Sequence, residues 1–354
     1  MNEQVDPAAR DDEAPSLFTL DGPIDYRAAF PELGIDPAEV PAVVAASDTS
    51  WAKIDAARRQ LARLHAPGLA CFALGSVGRL ESSAISDLDL AVVQVDPSRD
   101  AAACERDRDD VIASLRALGL DVHQKTFDRV VRLDAIVRDV GGRHDSNDHL
   151  TYRALLLTEG AWLLGEGACS QALRTLFEVY SRGRISRGRS LSSLDNDLQR
   201  YYRTLCVDYR FKVEEAHKQW AVRNLKLRHS RKLWRLANLS LFCAAAAQPE
   251  RTRVRWIAAR LGAPPLWRII EVLRGLDGSG LCGPLVRAFD PFLDALARPE
   301  TRRALDELAH ERRWQSPIYQ SLHENGERLE AAAHAVVDHL WTRCHDHLLR
   351  FGVL

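Results

Sequence analysis

Two residues near the start of the chain have types and positions that could bind a phosphate. Gly75 and Ser76 directly follow the apolar run of residues 69–74. A glycine at the end of a buried strand lets the backbone approach a phosphate closely, and a serine hydroxyl with nearby amides provides donors for its oxygens. The sequence therefore predicts a phosphate-binding turn at Gly75 and Ser76.

A second group is the pair Asp87 and Asp89, two positions apart on the next apolar segment, 87–95. Alternate residues of a strand face the same side, so both carboxylates should project from one face while Leu88 and Leu90 enter the core. Paired carboxylates suit Mg²⁺ or Mn²⁺, which prefer oxygen ligands and can also hold substrate phosphates. Such an arrangement serves nucleotidyl transfer at the α-phosphate of a nucleoside triphosphate.

The segments around these groups predict an α/β (α+β) domain with a small mixed sheet, over residues 47–166. We expect a helix over 50–65, strands over 69–74 and 87–95, a helix over 98–118, a strand over 120–127 and a helix over 150–164. Residues 1–46 read as a disordered or irregular arm, with one or two helical turns between 21 and 44 that lie on the following domain.

After a basic linker at 182–189, the pattern predicts an all-α helical domain over residues 190–354. Apolar residues recur at steps of three and four over 194–209. Further helices are predicted over 251–261, 266–276, 284–297, 301–311 and 316–349.

Composition narrows the classes of function. Lys and Arg total 48 against 49 acidic residues, a formal net charge of -1, so any attraction to phosphate must be local. The seven cysteines include no CxxC pair, which favours reduced thiols over a zinc site or disulfides. The polar, acidic start of the chain and the lack of a long uncharged apolar run favour a soluble, cytoplasmic protein with no membrane partner.

The stretch of residues 72–90, with Gly75-Ser76 before Asp87-x-Asp89, resembles the polymerase-β-like nucleotidyltransferase superfamily. The subgroup nearest in pattern includes the bacterial uridylyltransferase that modifies the nitrogen-regulatory protein, together with relatives whose nucleotidyltransferase domain precedes helices. Weaker similarity continues through 150–165, 196–201 and 220–233. Relatives often have glycine after the arginine where this chain has Leu80, which puts the loop geometry in question.

The resemblance implies metal-dependent transfer of a nucleoside monophosphate from a nucleoside triphosphate to a hydroxyl, with release of pyrophosphate. The family adds a third carboxylate from a later strand. Asp121 is best placed to be that metal ligand, and Asp134 and Asp128 are rivals. A protein hydroxyl is the acceptor that fits the subgroup best, whereas an RNA end or a small molecule such as an aminoglycoside remains open. The alternative is a non-catalytic nucleotide-binding module that recruits a partner through its helical domain.

Arg79 is a further candidate phosphate ligand, with a surface charge as the alternative. The helical part supplies other candidates for a substrate cleft. The basic segment 218–235 could hold a triphosphate or RNA, although a solvated helix face explains it equally well. The candidate cleft residues are Asn196, Arg200, Arg223, Lys226 and Arg231.

Overall fold

The computed structural model describes residues 16–123, 127–181, 191–214 and 220–349. Within these ranges the protein is mostly helical and has one small mixed sheet, with strand order β3-β2-β1-β5 and β4 also paired to β2. The strands are β1 (Leu69–Leu74), β2 (Leu88–Gln94), β3 (Val122–His123), β4 (Val131–Arg132) and β5 (Ala161–Leu164).

The helices account for most of the remaining described residues. In chain order they are α1 (Tyr26–Ala29), α2 (Pro41–Leu61), α3 (Gly75–Gly78), α4 (Ala101–Ala117), α5 (Leu133–Val137), α6 (Asn147–Glu159), α7 (Glu166–Ser181), α8 (Ser192–Glu214), α9 (Ala221–Lys226), α10 (Lys232–Ala246), α11 (Glu250–Leu261), α12 (Pro265–Gly275), α13 (Cys282–Ala297), α14 (Pro299–Asp306) and α15 (Pro317–His347). A π-helical turn, Leu227–Arg231, joins α9 to α10. Short 3-10 helices lie at Pro31–Leu33, Pro37–Glu39, Ser279–Leu281 and His310–Gln315.

The sheet is antiparallel at its centre and parallel at one edge. β1 pairs antiparallel with both β2 and β5, and the β1–β2 register places Leu74 opposite Asp89. β3 and β4 run parallel to β2 at its two ends, with Leu88 opposite Val122 and Gln94 opposite Arg132. The third strand predicted over 120–127 is therefore the two-residue β3 in the described part of that segment.

The helix predicted over 50–65 begins nine residues earlier, as α2 at Pro41, and ends at Leu61. Pro41 suits the first position of a helix because its missing N–H needs no partner there. The free amides of Ala42 and Val43 donate to the Asp290 carboxylate on α13, over 2.8 and 2.9 Å. A cap from a residue so distant along the chain cannot be read from the local sequence.

The prediction of a helix over 150–164 was wrong at its end. α6 stops at Glu159, Gly160 is extended (φ -74°, ψ 106°), and Ala161–Leu164 forms β5 at the sheet edge. Apolar residues predominate on both sides of Gly160, and a short apolar strand directly after a helix has no periodicity of its own to reveal it.

Both faces of the sheet are covered, and the helices after Leu191 complete one of the two cores. Cys71 and Leu90 face a cluster formed with α2 and α4, whereas Phe72 packs with α6, α7, α8, α10 and α11. A third cluster joins α9, α10, α12, α13 and α15 to residues 26–46. That N-terminal segment therefore packs on the C-terminal helices, whereas we expected it to lie on the domain that follows it.

In the parts of the chain that the structure describes, none of the helices is both long enough and apolar enough to cross a membrane.

Candidate active site

The turn after β1 lies directly beside the acidic pair on β2. Gly75 has a left-handed φ of +65°, and a Cβ there would stand 2.0 Å from Oδ2 of Asp89. Only glycine allows this approach, because any side chain would both strain the backbone and displace the carboxylate. Leu88 and Leu90 are buried on the face that α2 and α4 cover. Asp89, and Asp87 directly before the strand, therefore lie on the other face of the sheet.

Glu159, the last residue of α6, organises this turn. Its side chain is fully buried, and Oε1 accepts a hydrogen bond from the amide of Gly75 over 2.9 Å. This amide is therefore committed within the protein, whereas the sequence suggested that amides at this turn would be open to a phosphate. Ser76, which follows Gly75 in the same turn, is half-buried.

Arg79 lies inside the protein and pairs with two carboxylates. Its guanidinium bonds to Oε2 of Glu159 over 2.8 Å and to Oε2 of Glu81 over 2.9 Å. Burial alone would lower the pKa of Arg79, but the charges of Glu159 and Glu81 outweigh it and raise the pKa above its ordinary value. Arg79 is therefore neither a surface charge nor a side chain open to a phosphate. Its ion pair with Glu159 connects the turn to α6.

The π-helical turn brings two more side chains to this cluster. Ser230 donates a hydrogen bond to Glu81 Oε2, and Arg231 Nη1 lies 3.6 Å from Glu159 Oε2. That Arg231 nitrogen is buried and makes no hydrogen bond to the residues that the structure describes. A π turn shifts the helix register, and such turns are frequent at functional sites. Here the π-helical turn places Ser230 and Arg231 beside Glu81 and Glu159, and so connects the later helices to the turn after β1.

Lys226 extends from the end of α9 toward the acidic pair. Burial, and after it the positive charge of Arg302 on α14, lowers the pKa of its ammonium to about 8, although the charge of Asp87 acts in the opposite direction. A partly desolvated ammonium so close to carboxylates is suited to bind phosphate oxygens. Arg223, one turn earlier on α9, is half-buried.

The loop before β2 is held by Lys53 of α2. Its ammonium donates to the carbonyls of Ser83 and Ser86, over 2.7 and 2.8 Å. Burial lowers the pKa of Lys53, and the nearby charge of Asp87 partly offsets this. These two bonds fix the backbone directly before Asp87, so Lys53 positions the acidic pair from behind.

The two aspartates fit a divalent cation as a partial ligand set. Both are half-buried, Asp89 on β2 and Asp87 directly before it, and a cation that also holds substrate phosphates needs few protein ligands. Asp121 is exposed. It lies next to the pair, because its backbone carbonyl accepts a hydrogen bond from the amide of Leu88 over 2.7 Å. Nevertheless, no three His, Cys, Asp or Glu side chains in the described ranges are grouped closely enough to hold an ion.

The register removes one rival for the third carboxylate. Asp134 follows β4, which pairs with Val93 and Gln94 at the far end of β2. Asp89 and Gln94 are five residues apart on the strand, a distance of roughly 16 Å. Asp134 instead binds Arg132 and Arg138.

Asn196 and Arg200, predicted as cleft residues, lie on the part of α8 that packs beside α6. Asn196 is exposed. Arg200 pairs with Asp197 and Asp145, at 3.4 and 3.7 Å, and Asp197 also accepts from the hydroxyl of Tyr180 over 2.7 Å. This network joins α8 to α6 and α7, so Arg200 stabilises helix packing.

Sequence reasoning missed the structural roles of Glu159, Glu81 and Ser230. Glu159 ends a segment that was expected to continue as a helix, and Ser230 lies in a turn whose register no periodicity predicts. Leu80 was the one residue at which the sequence had already put the geometry of this loop in question. Its φ is +59°, a left-handed value that favours glycine, although its side chain is buried.

Comparison with known proteins adds no family to this geometry: the chain matches no protein-family model and no curated protein.

Proposed function

We propose that this protein is a metal-dependent nucleotidyltransferase, which moves a nucleoside monophosphate from a nucleoside triphosphate to a hydroxyl group and releases pyrophosphate. The observation that carries the proposal is the β1–β2 pairing. It puts the Gly75-Ser76 turn against Asp89, on a sheet face that also receives Lys226. A glycine turn that lies beside two carboxylates and a lysine suits transfer at phosphorus better than other chemistry.

Asp87 and Asp89 would hold Mg²⁺ or Mn²⁺, which supplies charge neutralisation and polarisation at the phosphate oxygens when it is bound. The Ser76 hydroxyl would donate to the triphosphate, and Lys226 would pair with a phosphate oxygen. The acceptor oxygen then forms a bond to the α-phosphorus as the bond to the bridging oxygen breaks. Positioning and electrostatics contribute most of the rate, since this reaction requires no covalent intermediate on the protein.

The proposal is tested by incubating the full chain with each α-³²P-labelled nucleoside triphosphate, Mg²⁺ and cell lysate. We expect label transfer by the wild type and none by Asp87→Ala/Asp89→Ala. Asp134→Ala is the matched control, because its carboxylate lies beyond the far end of β2. The labelled product identifies the acceptor as protein, RNA or small molecule. Equal transfer by the double variant would refute the proposal.

One observation favours the alternative of a non-catalytic nucleotide-binding module. The Gly75 amide and the Arg79 guanidinium, two donors expected to contact phosphate, are engaged by Glu159 and Glu81. Such a module would bind nucleotide and present its helical part to a partner. Nucleotide binding without pyrophosphate release, with Mg²⁺ and lysate present, would establish it in place of the enzyme.

A further inference from the structure

A separate cavity lies among α8, α10 and α15. Its volume is about 250 Å³, and its walls are mainly apolar. Leu198, Trp234 and Leu239 line it from α8 and α10, Trp341 lines it from α15, and Leu348 lines it from just after that helix. Pockets for drug-sized ligands are larger, roughly 300–1,000 Å³, so this cavity is suited to a small molecule.

One buried acid breaks the apolar lining. Asp195, in the first turn of α8, is only 3% exposed, and its Oδ1 accepts from the Gln199 side chain over 3.2 Å. Burial outweighs the bond from Gln199 and the charge of Arg235, and the pKa of Asp195 is raised to about 6. A carboxylate that must ionise in an apolar wall gains from a cation brought by a ligand.

Arg235 gives the cavity its second charge, at a different position. It also lines the space, and its guanidinium lies 4.9 Å from the ring centre of Tyr202. The wall therefore presents a carboxylate and a guanidinium, on the neighbouring helices α8 and α10, among mainly apolar side chains. A ligand with an ammonium group and an apolar body matches this arrangement, and a carboxylate on the same molecule could pair with Arg235.

We propose that this cavity binds a small apolar molecule that carries an ammonium group, with Asp195 as the partner of the cation. The site is independent of the proposed nucleotidyl transfer. It does, however, lie close to that site, because Trp234 lines the cavity while its indole N–H donates to Thr158 Oγ1 over 3.0 Å. Thr158 directly precedes Glu159.

Isothermal titration calorimetry on the full chain tests the proposal with three probes of similar size: phenethylamine, phenylalanine and 3-phenylpropanoate. We expect the two molecules with an ammonium group to bind and 3-phenylpropanoate to bind at least tenfold more weakly. Tighter binding of phenylalanine than of phenethylamine would add Arg235 as partner of its carboxylate. Binding of none of the three, or preference for 3-phenylpropanoate, would overturn the proposal.

Two variants locate the binding. Asp195→Asn keeps the shape of the wall and should weaken phenethylamine by about 10- to 100-fold, the usual range for a lost charge-assisted hydrogen bond. Val337→Phe, on the α15 side of the cavity, should fill the space and abolish binding. Asp338→Asn is the control, because its side chain is exposed on the same helix. Unchanged affinity in both cavity variants would show that the probe binds elsewhere.

Discussion

Replacing Glu159 by glutamine tests whether the buried ion cluster supports the β1 turn. The side chain is fully buried and its carboxylate serves both the Gly75 amide and Arg79. Glutamine keeps the volume and one acceptor oxygen but removes the negative charge. Arg79 would then be paired with Glu81 alone, inside the protein.

Removing one partner of a buried ion pair typically costs about 3–5 kcal/mol. Because Arg79 keeps Glu81 at 2.9 Å, we expect the lower end, about 3 kcal/mol less free energy of unfolding for Glu159→Gln. That is a large part of the roughly 5–15 kcal/mol by which proteins are usually stable. Urea denaturation at pH 7 measures it as a lower midpoint with an unchanged slope.

Glu39→Gln is the matched control, since Glu39 pairs with Arg287 at 2.9 Å on the surface, where the side chains are 54% and 45% exposed. Surface pairs contribute at most about 1 kcal/mol. Adding Arg79→Met to Glu159→Gln should cost less than the sum of the two single changes, because each single change already removes the Arg79–Glu159 pair. A loss for Glu159→Gln no greater than that of Glu39→Gln would refute the reasoning.

Three further predictions concern single residues. Gly75→Ala should destabilise the protein by about 2 kcal/mol and weaken Mn²⁺ binding measured by calorimetry, because its Cβ meets the Asp89 carboxylate at a positive φ; unchanged Mn²⁺ affinity would contradict this. Leu80→Gly and Leu80→Ala both lose a buried side chain. Because the φ of residue 80 is +59°, the glycine variant should be about 1 kcal/mol more stable in urea denaturation, the reverse of the order in a helix. A more stable alanine variant would refute this prediction. Burial lowers the pKa of His229 to about 4, whereas the pKa is about 6.5 in the unfolded chain. Between these pH values the unfolded chain therefore binds more protons than the folded protein. The free energy of unfolding should fall by up to about 3 kcal/mol as the pH drops from 6.5 to 4. His229→Asn should show a flatter profile over that range, and equal slopes would count against the prediction.

Local pattern was enough to predict most of the helices and the two central strands. The helix expected over 266–276 is α12, Pro265–Gly275, and the one expected over 284–297 lies within α13, Cys282–Ala297. The alternation of acidic and apolar residues also predicted that Asp87 and Asp89 lie on the same face. Each of these features depends on residues only a few positions apart, so the sequence carries it directly.

Features that depend on distant residues could not be predicted in this way. The start of α2 depends on Asp290, far along the chain, and the partners of Arg79 lie on α6 and in the loop after α3. Arg200 was assigned to the cleft because its segment resembles the uridylyltransferase subgroup, but its neighbours Asp145 and Asp197 place it in helix packing. The predicted arm of residues 1–15 and the linker at 182–189 lie outside the described residues.

The shared core beneath the sheet has a consequence for how the protein can be divided in the laboratory. Phe72 on β1 packs in the same cluster as Trp234 and Phe242 on α10, all of them almost fully buried. A fragment that ends near residue 166 would expose this surface to water, and exposed apolar area of that kind promotes aggregation. Expression trials should therefore keep the sheet and the helices through α11 together in one polypeptide.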